Sequence, residues 1–214
     1  MEPNYGIGTG SYTNERDDWR RAVERARLEG WQFLELTAVL EPLLSTLPEF
    51  LELSGGLLAG FDRVSLHAPI WAESPADMVD VIAALPLDGD VVFHPDAWAG
   101  ERALDRLGTR VLFENMDVGK RFGRTVDDLR RVFADHLDAG FCLDVAHVWT
   151  NDPSLRLGHD LLDAIGDRLR QLHVSGIERD GSHRPTTHAD LELYQPLLDR
   201  CGTVPWILET IVEA

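Results

Sequence analysis

The 214-residue chain is 44% hydrophobic and 27% charged, an ordinary globular profile at the size of one domain. Its formal net charge of −17 argues against a nucleic-acid partner: phosphate backbones are bound by basic stripes, and the Arg20/Arg21 and Arg130/Arg131 pairs sit among acids. Without a membrane-length apolar run or a signal-peptide pattern, the expectation is a cytoplasmic protein with no membrane partner, and Cys142 and Cys201 do not suggest a disulfide scaffold.

Along the chain, a short apolar or β-branched run is repeatedly followed by an amphipathic stretch. Strands are predicted at Tyr5–Thr9, Phe33–Thr37, Val64–His67, Val91–His94, Val111–Asn115, Phe141–Val145, Leu172–Ser175 and Trp206–Glu209. The stretch Glu15–Leu28 places Trp19, Ala22, Val23 and Ala26 on one helical face, and Val126–Leu137 does the same with Leu129, Val132, Phe133 and Leu137. Thr125 with Asp128 and Thr187 with Asp190 have capping-box spacing, and Gly140 reads as a helix stop. Eight strands alternating with helices predict a parallel α/β fold, best closed as a TM-free, soluble TIM (β/α)8-type barrel in one domain over residues 1–214. A doubly wound sheet is the structural alternative. The Gly6-Ile7-Gly8-Thr9-Gly10 run lacks the dinucleotide fingerprint and is read as a tight first loop. Only Ile211–Ala214 follow the eighth strand, so the last helix is truncated or missing, which points to an open seam or self-association.

Seven strands end in an ionisable residue directly after apolar ones: Glu35, His67, His94, Glu114, Asp144, His173 and Glu209. In a barrel those ends converge on one face, and a buried charge needs a partner or a cation. Imidazole mixed with carboxylate suits Zn, Mn, Fe or Co as the divalent metal.

The segments Ser65-Leu66-His67-Ala68-Pro69, Phe93-His94-Pro95, Phe113-Glu114-Asn115, Leu143-Asp144-Val145-Ala146-His147, Leu172-His173-Val174 and Ile207-Leu208-Glu209 resemble the xylose isomerase-like TIM-barrel superfamily. That group holds sugar isomerases and epimerases and the endonuclease IV branch (AP endonuclease family 2). The epimerase pattern implies one metal on Glu114, Asp144, His173 and Glu209, with the two glutamates as the acid–base pair and His147 and Arg179 on substrate oxygens. The endonuclease IV pattern implies up to three metals. It adds His67, His94 and His147, and a final Asp-x-His in which His183 fits but Gly181 stands where the acid belongs.

Other residues carry weaker signals. Glu35 is expected to orient a ligand or a water. Lys120 is either a solvated loop residue or a contact to an anionic substrate. Trp71, Trp98 and Trp149 follow ligand-bearing strands and either pack or stack on a sugar. His136 and His159 are expected on the surface, and His188 in the first turn of a helix. The leading function is a metal-dependent isomerase or epimerase of a small hydroxy-carbonyl molecule. The rivals are a multinuclear phosphoester hydrolase of a small non-DNA substrate, a non-catalytic metal-binding barrel, and a two-carboxylate glycosidase on Glu114 and Glu209.

Overall fold

A computed structural model describes residues 5–12 and 18–213. Eight parallel strands close into a barrel: β1 (Tyr5–Gly8), β2 (Phe33–Thr37), β3 (Arg63–His67), β4 (Val91–Phe93), β5 (Val111–Glu114), β6 (Gly140–Asp144), β7 (Leu169–Val174) and β10 (Trp206–Leu208). An antiparallel hairpin of two two-residue strands, β8 (Gly176–Ile177) and β9 (His183–Arg184), is inserted after β7. Around the barrel run α1 (Trp19–Glu29), α2 (Glu41–Ser54), α3 (Pro75–Ala84), the single turn α4 (Pro95–Trp98), α5 (Val126–Asp135), α6 (Val145–Asn151), α7 (Arg156–Ile165) and α8 (His188–Leu198). Among the described residues no helix is long and apolar enough to cross a membrane.

The predicted helix face is present: Trp19, Ala22, Val23 and Ala26 are the buried residues of α1. The expected start at Glu15 lies outside the described residues. Both capping boxes form, with Thr125 Oγ1 accepting from the Asp128 amide at 3.1 Å and Thr187 Oγ1 from the Asp190 amide at 3.3 Å. Two expectations change, and one element is new. Helix α5 stops at Asp135, and Gly140 is the first residue of β6, where a Cβ would stand 2.6 Å from Leu112 Cδ2 and from Arg170 Cδ. Between α4 and β5 the chain takes a 3-10 path, Arg102–Arg110, kinked at Gly108. Gly6 and Gly8 belong to β1 itself, and a Cβ on Gly6 would meet Phe33 Cβ at 2.6 Å and Ile207 Cδ1 at 2.8 Å. These glycines let strands approach; they do not make a turn.

The ring closes where β1 pairs with β10, Ile7 opposite Leu208, so the hydrogen-bonded seam is not open. No helix follows β10 among the described residues. Instead the chain crosses to the segment after β9: the Thr186 amide donates to Ile211 O at 2.9 Å, and the Glu213 amide donates to Thr186 O at 2.8 Å. Thr186 Oγ1 accepts from the Gly176 amide at 3.0 Å and shares a 2.7 Å hydrogen bond with Thr210 Oγ1.

Candidate metal centre

Alternation along each strand sends every second side chain inward. Register then decides which inward residues meet. Asp144 stands opposite His173, which stands opposite Ile207, while Thr37 stands opposite His67 and Glu35 opposite Ser65. Glu35 is therefore inside β2 and not at its end, a layer below His67. The upper layer holds Glu114, Asp144, His173 and Glu209, one donor atom from each lying within 4.8 Å of the others. His67, His94 and Glu114 form a second set by the same measure, and His67, His173 and Glu209 a third.

His173 Nδ1 is 3.1 Å from Glu114 Oε1 and 3.3 Å from Glu209 Oε1. Its Nε2 meets Glu35 Oε2 at 3.1 Å. Both ring nitrogens thus face carboxylate oxygens, which only accept: Nε2 points to Glu35 below, and Nδ1 is the nitrogen turned to the upper layer. Gln171, two residues earlier on β7, donates to the same Glu35 oxygen at 2.6 Å, and Ser65 Oγ donates to it at 3.3 Å. His67 is fixed in the opposite sense. Its Nδ1 donates to Ala68 O at 2.9 Å, leaving Nε2 facing Glu114 Oε2 at 3.4 Å, where His94 Nε2 also stands at 3.4 Å. Asn115 locks Asp144 by a reciprocal pair, Nδ2 to Asp144 O and the Asp144 amide to Oδ1, each 2.9 Å. Asp144 Oδ1 accepts from the His147 amide at 2.6 Å as the N-cap of α6, and His147 Nδ1 donates to Asn115 O at 2.9 Å.

These groups perturb one another strongly. Burial raises Asp144 well above the usual carboxylate range, with Glu209 and Glu114 adding to it against His147. Glu114 goes the other way: burial pushes it up, but the adjoining His173, His67 and His94 outweigh that and hold it well down. Burial opposes the charging of His147, yet Asp144, Glu114 and Glu209 lift it to about 9. His173 is likewise raised well above its ordinary value by Cys142, Glu35, Glu209 and Glu114 in spite of burial. In His94 burial prevails and the ring is shifted down.

The donor set suits a cation on a further ground. His94 Nδ1, Glu114 Oε2, Asp144 Oδ2 and Glu209 Oε2 are buried and accept or donate no hydrogen bond among the described residues. Burying anionic oxygens without donors is costly, and a divalent ion would satisfy several at once.

The remaining predicted residues divide. His67, His94, Glu114, Lys120, His147, His183 and Glu209 line one cleft of about 590 Å³. His183, on β9 and exposed, reaches Glu209 Oε2 at 3.8 Å, and its ring lies edge-on to His147. Arg179 does not line the cleft: its guanidinium lies over the Trp149 ring at 4.8 Å. The arginine at the mouth is Arg184. Trp98 cannot stack on a substrate, being buried against Phe93 with Nε1 donating to Pro69 O at 2.8 Å. Trp71 is exposed on an adjoining groove, outside the central cleft. His136 is buried, donating to Ala99 O at 2.8 Å; His159 is half-buried against Arg200, and His188 is exposed at the start of α8. Gln171 escaped the sequence reading. Its signal was a polar residue two positions before a ligand on the same strand, hence on the same inward face.

No protein-family model and no curated protein sequence matches this chain. Solved structures do. A 3-keto-D-glucoside 4-epimerase from E. coli aligns over 100% of this chain and 94% of its own at 12% identity, TM-score 0.60. A D-psicose 3-epimerase, solved with D-fructose, aligns over 99% and 86% at 12% identity, TM-score 0.58. A xylose isomerase domain protein from Planctomyces limnophilus aligns over 88% and 83% at 13% identity, TM-score 0.56. The chain shares its barrel fold with these structures, and also with a probable 3-DHS dehydratase from Bacillus anthracis, so the fold alone names no reaction.

Proposed function

We propose that this chain is a divalent-metal-dependent isomerase or epimerase of a small hydroxy-carbonyl compound. The observation that carries the reading is the four-residue set Glu114, Asp144, His173 and Glu209, of which Glu114 and Glu209 line the cleft and Asp144 and His173 are fully buried beside them. These four would hold the ion, which when bound polarises a substrate carbonyl. One glutamate accepts the proton from the carbon beside that carbonyl. For epimerisation the other delivers a proton to the opposite face, and the pair exchange protonation states. Both glutamates are held below their ordinary values, Glu114 well below, so both stand ionised, the state a proton acceptor needs. His147, anchored on Asn115 O and lining the cleft, would contact substrate oxygen. Glu114→Gln or Glu209→Gln is expected to slow solvent exchange of a substrate carbon-bound proton by about 10²–10⁴-fold. Undiminished exchange in either variant rules the reading out.

A second reading rests on one further observation, the His67–His94–Glu114 set. It supports a multinuclear hydrolase of a small phosphoester, in which His183 would join the ligands. Elemental analysis of protein purified without a metal-binding tag separates the two. Near one equivalent per chain favours the isomerase; two or three favour the hydrolase.

A further inference from the structure

The cleft is not polar throughout. Its floor carries His67, Glu114 and Glu209, but one side is built from Val39, Leu43 and Ile70. Val39 and Ile70 also line a neighbouring groove of about 750 Å³ that continues over Leu40, Pro42 and Trp71. Leu40 is 53%, Ile70 37% and Trp71 65% exposed. An apolar run of this kind beside a site is costly in water unless it meets a ligand.

The wall is held in place. The Ile70 amide donates to Val39 O at 3.1 Å, joining the loops after β2 and β3. From below, Trp98 Nε1 fixes Pro69 O, next to Ile70. The polar residues at the mouth are committed elsewhere. Lys120 Nζ pairs with Asp96 at 3.1 Å, and Arg184 grips both oxygens of Asp190 at 2.7 Å and Glu178 at 3.2 Å. Asp117 lines the same cleft. A phosphate at this rim would have to break an ion pair and face a carboxylate.

We infer that the substrate has two parts: a hydroxy-carbonyl head that reaches the carboxylate–histidine floor, and an unphosphorylated aryl or alkyl group that lies along Val39, Ile70, Leu40 and Trp71. This rests on the proposed isomerase reading only for which end meets the floor.

The test is calorimetric binding of three hydroxy-ketone probes to the protein as purified: 6-O-methyl-D-fructose, 6-O-benzyl-D-fructose and D-fructose 6-phosphate. The benzyl ether is expected to bind about tenfold or more tightly than the methyl one, with the phosphate weakest. Trp71→Ala and Leu40→Ser, both at exposed positions, should erase most of that preference and bring the benzyl ether down to the affinity of the methyl ether. Equal affinities, a tightest-binding phosphate, or no binding of any probe at millimolar concentration overturns the inference. So does a dimer in sedimentation that Trp71→Ala dissociates, because the wall would then be covered by a second copy. If proton exchange survives Glu114→Gln while the benzyl preference holds, the reaction assignment falls and this inference stands.

Discussion

His173 turns one ring nitrogen to Glu114 and Glu209 and the other to Glu35, so a carboxylate buried below the site holds the ring's orientation and with it the nitrogen that faces the upper layer. Glu35→Ala should therefore weaken divalent-metal binding by about 10–100-fold without removing a ligand. Metal titration followed by calorimetry measures it, and an unchanged affinity would show that His173 needs no orienting partner. A second residue-scale prediction lies outside the site. Hydrogen bonds from Arg184 first, and then from Thr187, hold Asp190 down to about 2 against burial. A depressed carboxylate contributes stability above its ordinary pKa of about 3.9 and loses it as pH falls toward the folded value. Asp190→Asn should cost about 1–3 kcal/mol in urea unfolding at neutral pH. The gap to the parent should narrow as pH drops from about 4 toward 2. At this scale the charged strand ends were legible because each ionisable residue follows an apolar run. Gln171 was not, since a neutral amide carries no charge to explain. Arg179 was misplaced for a different reason: a residue's offset from a ligand does not say which way its loop turns, and the hairpin β8–β9 turns Arg184 to the cleft instead.

Helix α7 packs on α8 at Gly158, where an added Cβ would stand 2.4 Å from Leu197 Cδ2. Leu197 is fully buried, so it has little room to move aside. Gly158→Ala should lower stability by about 1–2 kcal/mol, overpacking exceeding the gain in helix propensity. Combined with Leu197→Ala it should cost less than the sum of the single changes, and strict additivity in thermal unfolding would show that the two do not touch. The eight barrel strands were legible within a few residues because their runs are apolar and separated by amphipathic helices. The hairpin was not: two-residue strands are too short to show a period. Nor was the 3-10 path at Arg102–Arg110, which leaves helical geometry at Gly108, with φ of 55°.

Across the whole molecule, a divalent ion on these buried, donor-less oxygens, as proposed, would make folding and metal binding a linked equilibrium. Metal at about a hundred times its dissociation constant adds about 2.7 kcal/mol to the folded state. For a domain of this size that raises the melting temperature by about 5–10 °C, which a chelator should reverse. A melting temperature indifferent to Zn, Mn, Fe and Co would remove the metal from the account altogether.

Thr186 ties the segment after β9 to the residues that follow β10 through both its amide and its carbonyl. Glu209, Thr210 and Ile211 lie on one side of that tie and His183 and Arg184 on the other, and all five line the cleft. Any widening of the mouth there must carry a floor carboxylate with it. Admission of a ligand and the placing of that carboxylate are thus one mechanical coordinate on this side.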